Sequence, residues 1–178
     1  MCMKRVNATV SLLGSIEYDS NGNPIVLNKP FNQILASIDD DGDYYIDRFN
    51  IFTTINLLGT NDANDTENVI RNKGSVDVKI RLTKCDEDES KQLAIDLDEF
   101  KIDTRKHRID EACFEFMDFK RITRVPKIKL PLGTGLYVIK VLMKRSEDKK
   151  YTIQTMYQLY IGEKVKKKAK KSIFKRAG

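Results

Sequence analysis

The chain has 178 residues, of which 40% are hydrophobic, with 32 Lys and Arg against 26 Asp and Glu. That length fills one well-packed core and is short for two, and that apolar fraction excludes general disorder. No uninterrupted apolar run approaches the length needed to cross a bilayer as a helix.

The N-terminus places Lys4 and Arg5 before Val6–Gly14, a superficial likeness to a secretory leader. Asn7, Thr9 and Ser11 interrupt the apolar stretch and no small-residue cleavage site follows, so the chain is read as unexported. The same residues alternate, and a strand is predicted over 5–17. Cys2, Cys85 and Cys113 are odd in number and widely spaced, which is neither a disulfide framework nor a zinc pattern. A cytoplasmic location is therefore expected.

Asn21-Gly22-Asn23-Pro24 is turn chemistry, because Gly and Asn tolerate positive φ and Pro presets a turn angle. Strands are predicted at 31–38 and 44–57, on either side of the acidic turn Asp39–Asp43. Residues 59–74 are too polar for a core element and read as a loop. Val76, Val78, Ile80 and Leu82 then alternate with Asp77, Lys79, Arg81 and Thr83, a strand with one buried and one wet face. After a turn at 86–90, Leu93, Ile95 and Leu97 alternate with Ala94, Asp96 and Asp98, which places both aspartates on the wet face. Residues 104–111 suggest a short helical turn, and 112–121 another strand. Tyr137, Ile139, Val141 and Met143 share one face of a strand, which a polar hairpin loop at 146–150 joins to a final strand at 151–161.

About eight antiparallel strands at regular spacing make the expected fold an all-β sandwich over residues 1–162, with a basic tail at 163–178. Leu130-Pro131-Leu132-Gly133-Thr134-Gly135-Leu136-Tyr137 sets a Pro- and Gly-rich corner before a Tyr-led strand. This segment resembles the tyrosine corner of immunoglobulin-like and fibronectin-like sandwiches, and the resemblance spans about residues 126–161. It implies that the Tyr137 hydroxyl bonds backwards to backbone. The chain has no Trp and no cysteine pair, and so departs from antibody-type domains. More loosely, the chain is similar to small sandwich proteins of bacteria and their phages, a resemblance that implies a fold and no activity.

Candidate chemistry is sparse. His107, the single histidine, lies in the basic stretch Thr104-Arg105-Lys106-His107-Arg108, where a neutral, positioned imidazole is hard to hold. Setting Gly42 on the invariant glycine of an EF-hand puts Ser37 at the first ligand position and Arg48 at the last, so Asp39–Asp43 with Asp47 reads as a hairpin turn. Asp96, Asp98 and Glu99, or Glu115 and Asp118, are possible carboxylate pairs with nothing to fix their separation. Gly133-Thr134-Gly135 lacks the Gly-Lys-Ser/Thr of a phosphate loop, and a strand follows it. No catalytic, metal-ligating or cofactor-binding residue is nominated, and no cofactor is expected.

The tail is the most biased segment. Lys164, Lys166, Lys167, Lys168, Lys170, Lys171, Lys175 and Arg176 occur in 164–178 without an acid, so the formal charge of +6 belongs to the tail. Taking these eight from 32 leaves 24 basic against 26 acidic residues in 1–163, a net charge of about −2. Val165, Ala169 and Ile173 recur every fourth residue, with Phe174 beside them, so a helix here has a thin apolar stripe and a basic face. A solvated extension, a contact for nucleic-acid phosphates or another acidic partner, and a membrane-surface contact all fit this pattern. The resulting expectation is a non-enzymatic interaction or accessory module for an unknown protein partner, binding through end loops or a strand edge. The alternatives are a nucleic-acid-associated protein using the tail and an enzyme built on scattered carboxylates.

Overall fold

The computed structural model describes residues 6–13, 16–18, 24–27, 32–60, 75–85, 93–103, 108–110, 114–145 and 148–164. These form thirteen strands: β1 (Val6–Leu13), β2 (Ile16–Tyr18), β3 (Pro24–Leu27), β4 (Gln33–Ile38), β5 (Tyr44–Ile46), β6 (Phe49–Thr60), β7 (Ser75–Lys84), β8 (Ala94–Asp103), β9 (Arg108–Asp110), β10 (Phe114–Val125), β11 (Ile128–Leu130), β12 (Gly135–Arg145) and β13 (Thr152–Glu163). One sheet has the order β1-β6-β10-β9, a second the order β11-β5-β4-β13-β12-β7-β8, and β2 and β3 pair as a separate ribbon.

The all-β expectation holds, and no helix occurs among the described residues. The two larger sheets share one core. Ala8, Val10 and Leu12 of β1, Ile51 and Ile55 of β6, and Met117 and Val125 of β10 belong to the same buried cluster as Val76–Leu82 of β7, Ile139–Met143 of β12, and Leu159 and Ile161 of β13. Period-two alternation produces this packing, since every second side chain points inward.

Five expectations need correction, the first being the strand expected over 5–17, which is β1 and β2 in different sheets. The single strand predicted at 44–57 is two, in different sheets: Ile46 and Phe49 are both buried while Asp47 and Arg48 between them are exposed, so the alternation breaks and the chain crosses sheets. This break, together with short strands such as β9 and β11, takes the count beyond eight. Pairing is not wholly antiparallel, because Tyr160–Glu163 of β13 run parallel to Gln33–Ala36 of β4. Instead of a helical turn, Arg108–Asp110 form β9 against Glu115–Met117 of β10. Gly59 and Thr60, expected in a loop, complete β6 opposite Glu115 and Phe114.

Candidate interaction surface

The corner before β12 is built as its residues require. Gly133 has φ +68°, a conformation that side-chain-bearing residues rarely adopt, and its N–H donates to Leu130 O at 3.0 Å to close the turn. The buried Tyr137 hydroxyl donates backwards to Gly133 O at 2.5 Å, and Lys84 Nζ donates to Leu132 O at 2.5 Å. Burial pushes the Tyr137 hydroxyl up to about 12. The corner thereby fixes where β12 starts and which of its side chains face outward.

The outward faces of the two sheets differ in chemistry. On the four-stranded sheet, register and alternation turn outward Asn7, Thr9, Asn50, Thr54, Asp118 and Lys120, around the half-buried Phe52 and Ile122. On the seven-stranded sheet, β4, β13 and β12 expose Leu35, Leu136, Ile153, Met156 and Tyr160, each between 43% and 62% accessible. These five lie on three adjacent strands. Leu136 stands opposite Tyr160, Ile153 opposite Leu142, and Leu35 opposite Gly162. A Cβ on the buried Gly162 would meet Leu35 Cδ2 and Tyr160 Cε1, both at 3.4 Å, so these two side chains close together over the glycine. The result is an apolar-rich band on this sheet face, interrupted by the exposed Gln158 between Tyr160 and Met156 and by Lys140 opposite Met156.

Beside the band, β7 and β8 carry an ion-paired border. Arg81 Nε donates to Asp96 Oδ1 at 2.6 Å, and Lys79 Nζ lies 3.4 Å from Asp96 and 3.0 Å from Glu99. The Tyr151 hydroxyl donates to Glu99 at 3.0 Å, and the Lys79 and Lys144 ammonium groups lie 5.2 and 5.0 Å from its ring centre. Arg81 holds the Asp96 carboxyl below the usual carboxylate range, and Lys79 and Tyr151 do the same for Glu99. These carboxylates are ionised at neutral pH and do not donate protons, so the arrangement anchors a surface and does not supply a general acid.

Asp98 departs from its predicted position on the wet face. A bulge at Leu97 of β8 sets Ile80 opposite Asp98 and Arg81 opposite Asp96, which sends the two aspartates to opposite faces. Asp98 therefore points between the sheets. It accepts from Arg121 Nε at 2.8 Å, Arg121 Nη2 at 3.3 Å and Thr123 Oγ1 at 2.6 Å. Phe100 stacks on Phe119 with ring centres 5.6 Å apart, and the Arg121 guanidinium sits 4.3 Å from the Phe100 ring centre. Burial raises the Asp98 pKa, but the Arg121 and Thr123 hydrogen bonds outweigh it and the net shift is downward. Alternation alone gave no signal of this pair, since a bulge is invisible to a period-two count.

The remaining sequence candidates fall as follows. Lys164 is exposed and its backbone N–H donates to Ala36 O at 2.8 Å; Lys166, Lys167, Lys168, Lys170, Lys171, Lys175 and Arg176 lie outside the described residues. So do His107, Cys2, Cys113 and the side chain of Glu115, while Asp118 pairs with Lys120 at 2.9 Å. Cys85 is an exposed free thiol. In the acidic turn, Asp39 Oδ1 accepts from the Asp41 and Asp43 N–H groups at 3.1 and 2.8 Å, and Lys129 pairs with Asp43, so these carboxylates serve the hairpin. No group of three or more His, Cys, Asp or Glu suited to a metal ion occurs among the described residues. Nor does a helix long and apolar enough to cross a membrane.

No protein-family model matches the chain, and no curated protein matches it. Among solved structures, it is similar to the CooA pilin subunit from enterotoxigenic Escherichia coli at 14% identity, covering 88% of this chain and 99% of that one, with a TM-score of 0.35.

Proposed function

We propose that this chain is a non-enzymatic interaction module of the cytoplasm, and that the outer face of its seven-stranded sheet is where a protein partner docks. The observation that carries this is the stripe Leu35–Tyr160–Leu136–Met156–Ile153, five large apolar side chains on one face beside an ion-paired border. Exposed apolar surface with a polar margin is the usual anatomy of a recognition site. The docking surface is thus a sheet face, where the sequence suggested end loops or a strand edge. The Tyr137–Gly133 hydrogen bond supports an immunoglobulin-like variant of the sandwich, modified by the parallel β4–β13 pair. The test is affinity purification with tagged wild type and Met156→Glu, each checked for an unchanged circular dichroism spectrum. Proteins retained by the wild type and lost with Met156→Glu support the reading; identical sets from both refute it.

A second reading rests on charge alone. With the body near −2 and eight basic residues in 164–178, attraction to polyanions belongs to the tail.

A further inference from the structure

We propose that a cavity at the point where the chain crosses between the two larger sheets binds a small organic phosphate, with Arg48 and Arg124 as its anion ligands. The site is separate from the docking role proposed above and stands without it. Two crossings lie side by side here. β6 pairs with β10 as far as Phe49 opposite Val125, and β5 pairs with β11 from Ile46 opposite Ile128. Asp47 and Arg48 on one side, and Pro126 and Lys127 on the other, lie between these pairs outside any strand. Pro126 has no N–H with which to continue a ladder. The break leaves a cavity of about 380 Å³ lined by Arg48, Phe49, Asn50, Arg124, Val125 and Pro126. That volume is in the range of small-molecule sites.

The lining selects the ligand. Arg124 stands opposite Asn50 on the paired strands, and Arg48 precedes Asn50 by two residues, so two guanidinium groups and a carboxamide share one opening. Two cations on one cavity repel each other, and an anion between them reverses the sign of that interaction. Each guanidinium presents a planar fork of N–H donors that matches a pair of phosphate oxygens, and the two together balance the charge of nearly −2 on a phosphate monoester. Phe49, Val125 and Pro126 supply apolar surface for the organic body of the ester.

Other cations of the fold are already committed. Arg81, Arg121 and Arg145 each fork Nε and Nη2 onto an aspartate, at 2.6 and 3.2 Å on Asp96, 2.8 and 3.3 Å on Asp98, and 3.0 and 3.1 Å on Asp148. Close to the cavity, Lys127 lies 4.8 Å from the Tyr45 ring centre and Lys129 pairs with Asp43. Arg48, by contrast, has no carboxylate partner among the described residues. Its fork is available to a ligand.

Titration of the isotope-labelled full chain with phenyl phosphate at fixed ionic strength tests the site, read by nuclear magnetic resonance on the Nε–Hε groups of Arg48 and Arg124. Both signals are expected to shift together and to saturate, with a dissociation constant of about 1 mM. Arg48→Met and Arg124→Met should each weaken binding at least about 10-fold while leaving the circular dichroism spectrum unchanged. Affinity should fall at pH 5, below the second phosphate pKa of about 6, because the ligand then carries a single charge. Deleting 165–178 should leave the shifts in place. Shifts confined to the tail lysines, a response that rises without saturating, or an unchanged affinity in Arg48→Met would each overturn the site. Inorganic phosphate that binds as tightly as phenyl phosphate would overturn the organic body assigned to the ligand.

Discussion

Removal of the Asp98 carboxylate tests whether an ion pair bridging the two sheets stabilises the fold. Asp98 and Arg121 lie on different sheets, with side chains 15% and 39% exposed, and Thr123 adds a third hydrogen bond to the same carboxylate. Asp98→Ala removes a charge-assisted bidentate contact and leaves the hydroxyl of the buried Thr123 without this acceptor. A charge-assisted hydrogen bond contributes about 1.5–3 kcal/mol when buried; because Arg121 can turn to water, a loss of about 2 kcal/mol is expected. Urea denaturation at pH 7 should therefore show a lower midpoint at unchanged slope. The pH dependence has a definite sign. The folded pKa of Asp98 lies below its unfolded value of roughly 3.9, so its stabilisation is complete above that value and fades as pH falls through the folded pKa. The gap between wild type and Asp98→Ala should accordingly narrow near pH 2. Adding Arg121→Met should recover part of the loss, with a coupling of about 1 kcal/mol in the double-mutant cycle. A loss below about 0.5 kcal/mol at pH 7, or a gap of equal size at pH 7 and pH 2, would refute the bridging role.

Tyr137→Phe should cost about 0.5–1.5 kcal/mol through the lost bond to Gly133 O, read as a shift in denaturant midpoint. Because folding raises the Tyr137 pKa to about 12, the wild-type advantage should be full below pH 10 and disappear as pH rises toward 12. Thr53→Val should stabilise by about 1 kcal/mol, since the buried Thr53 hydroxyl has no hydrogen-bond partner among the described residues; a lower melting temperature would show that the hydroxyl is satisfied. Deleting 165–178 should leave the circular dichroism spectrum and denaturant midpoint unchanged and abolish salt-sensitive binding to duplex DNA in a filter assay, whereas undiminished binding would locate a basic surface on the body.

Much of the fold was legible because its strands carry strict alternation. Val76 to Leu82 and Tyr137 to Met143 declare an inward face residue by residue, and both are buried in the structure. Tyr137 and its glycines also announced their own hydrogen bond, because few other arrangements use Pro, two glycines and a strand-leading Tyr at that spacing. Strand direction was not legible, since period two is the same for the parallel β4–β13 pair as for its antiparallel neighbours. Neither was the sheet change at Asp47-Arg48, where two exposed residues between buried ones look like one missed beat within a longer strand. The candidate surface was visible only in part. Leu136, Met156 and Tyr160 each lie one residue from a core position, and nothing local in the sequence separates an exposed apolar side chain on a solvated sheet from one beneath a partner. That distinction requires knowing that β4, β13 and β12 are neighbours.

The treatment of the sheet edges strengthens the assignment to a face. The β8 edge carries a bulge, the inward charge of Asp98, and Asp96, Glu99 and Lys101 along its length. The β11 edge is three residues long and lies between Pro126 and Pro131. Bulges, inward charges, short strands and prolines are the means by which folds discourage pairing with another chain. Both edges of the larger sheet are protected in this way, while its outer face keeps five apolar side chains in solvent. Exposed apolar side chains on the face beside two blunted edges are the arrangement expected when association is directed to the face. β1 is the exception, an eight-residue strand paired only with β6 among the described residues and free of charged side chains from Val6 to Leu13. It belongs to the smaller sheet and offers backbone pairing where the stripe offers side-chain packing. Thr9→Lys and Met156→Glu therefore report on different modes of association, and comparing them measures the face without confusing it with the edge.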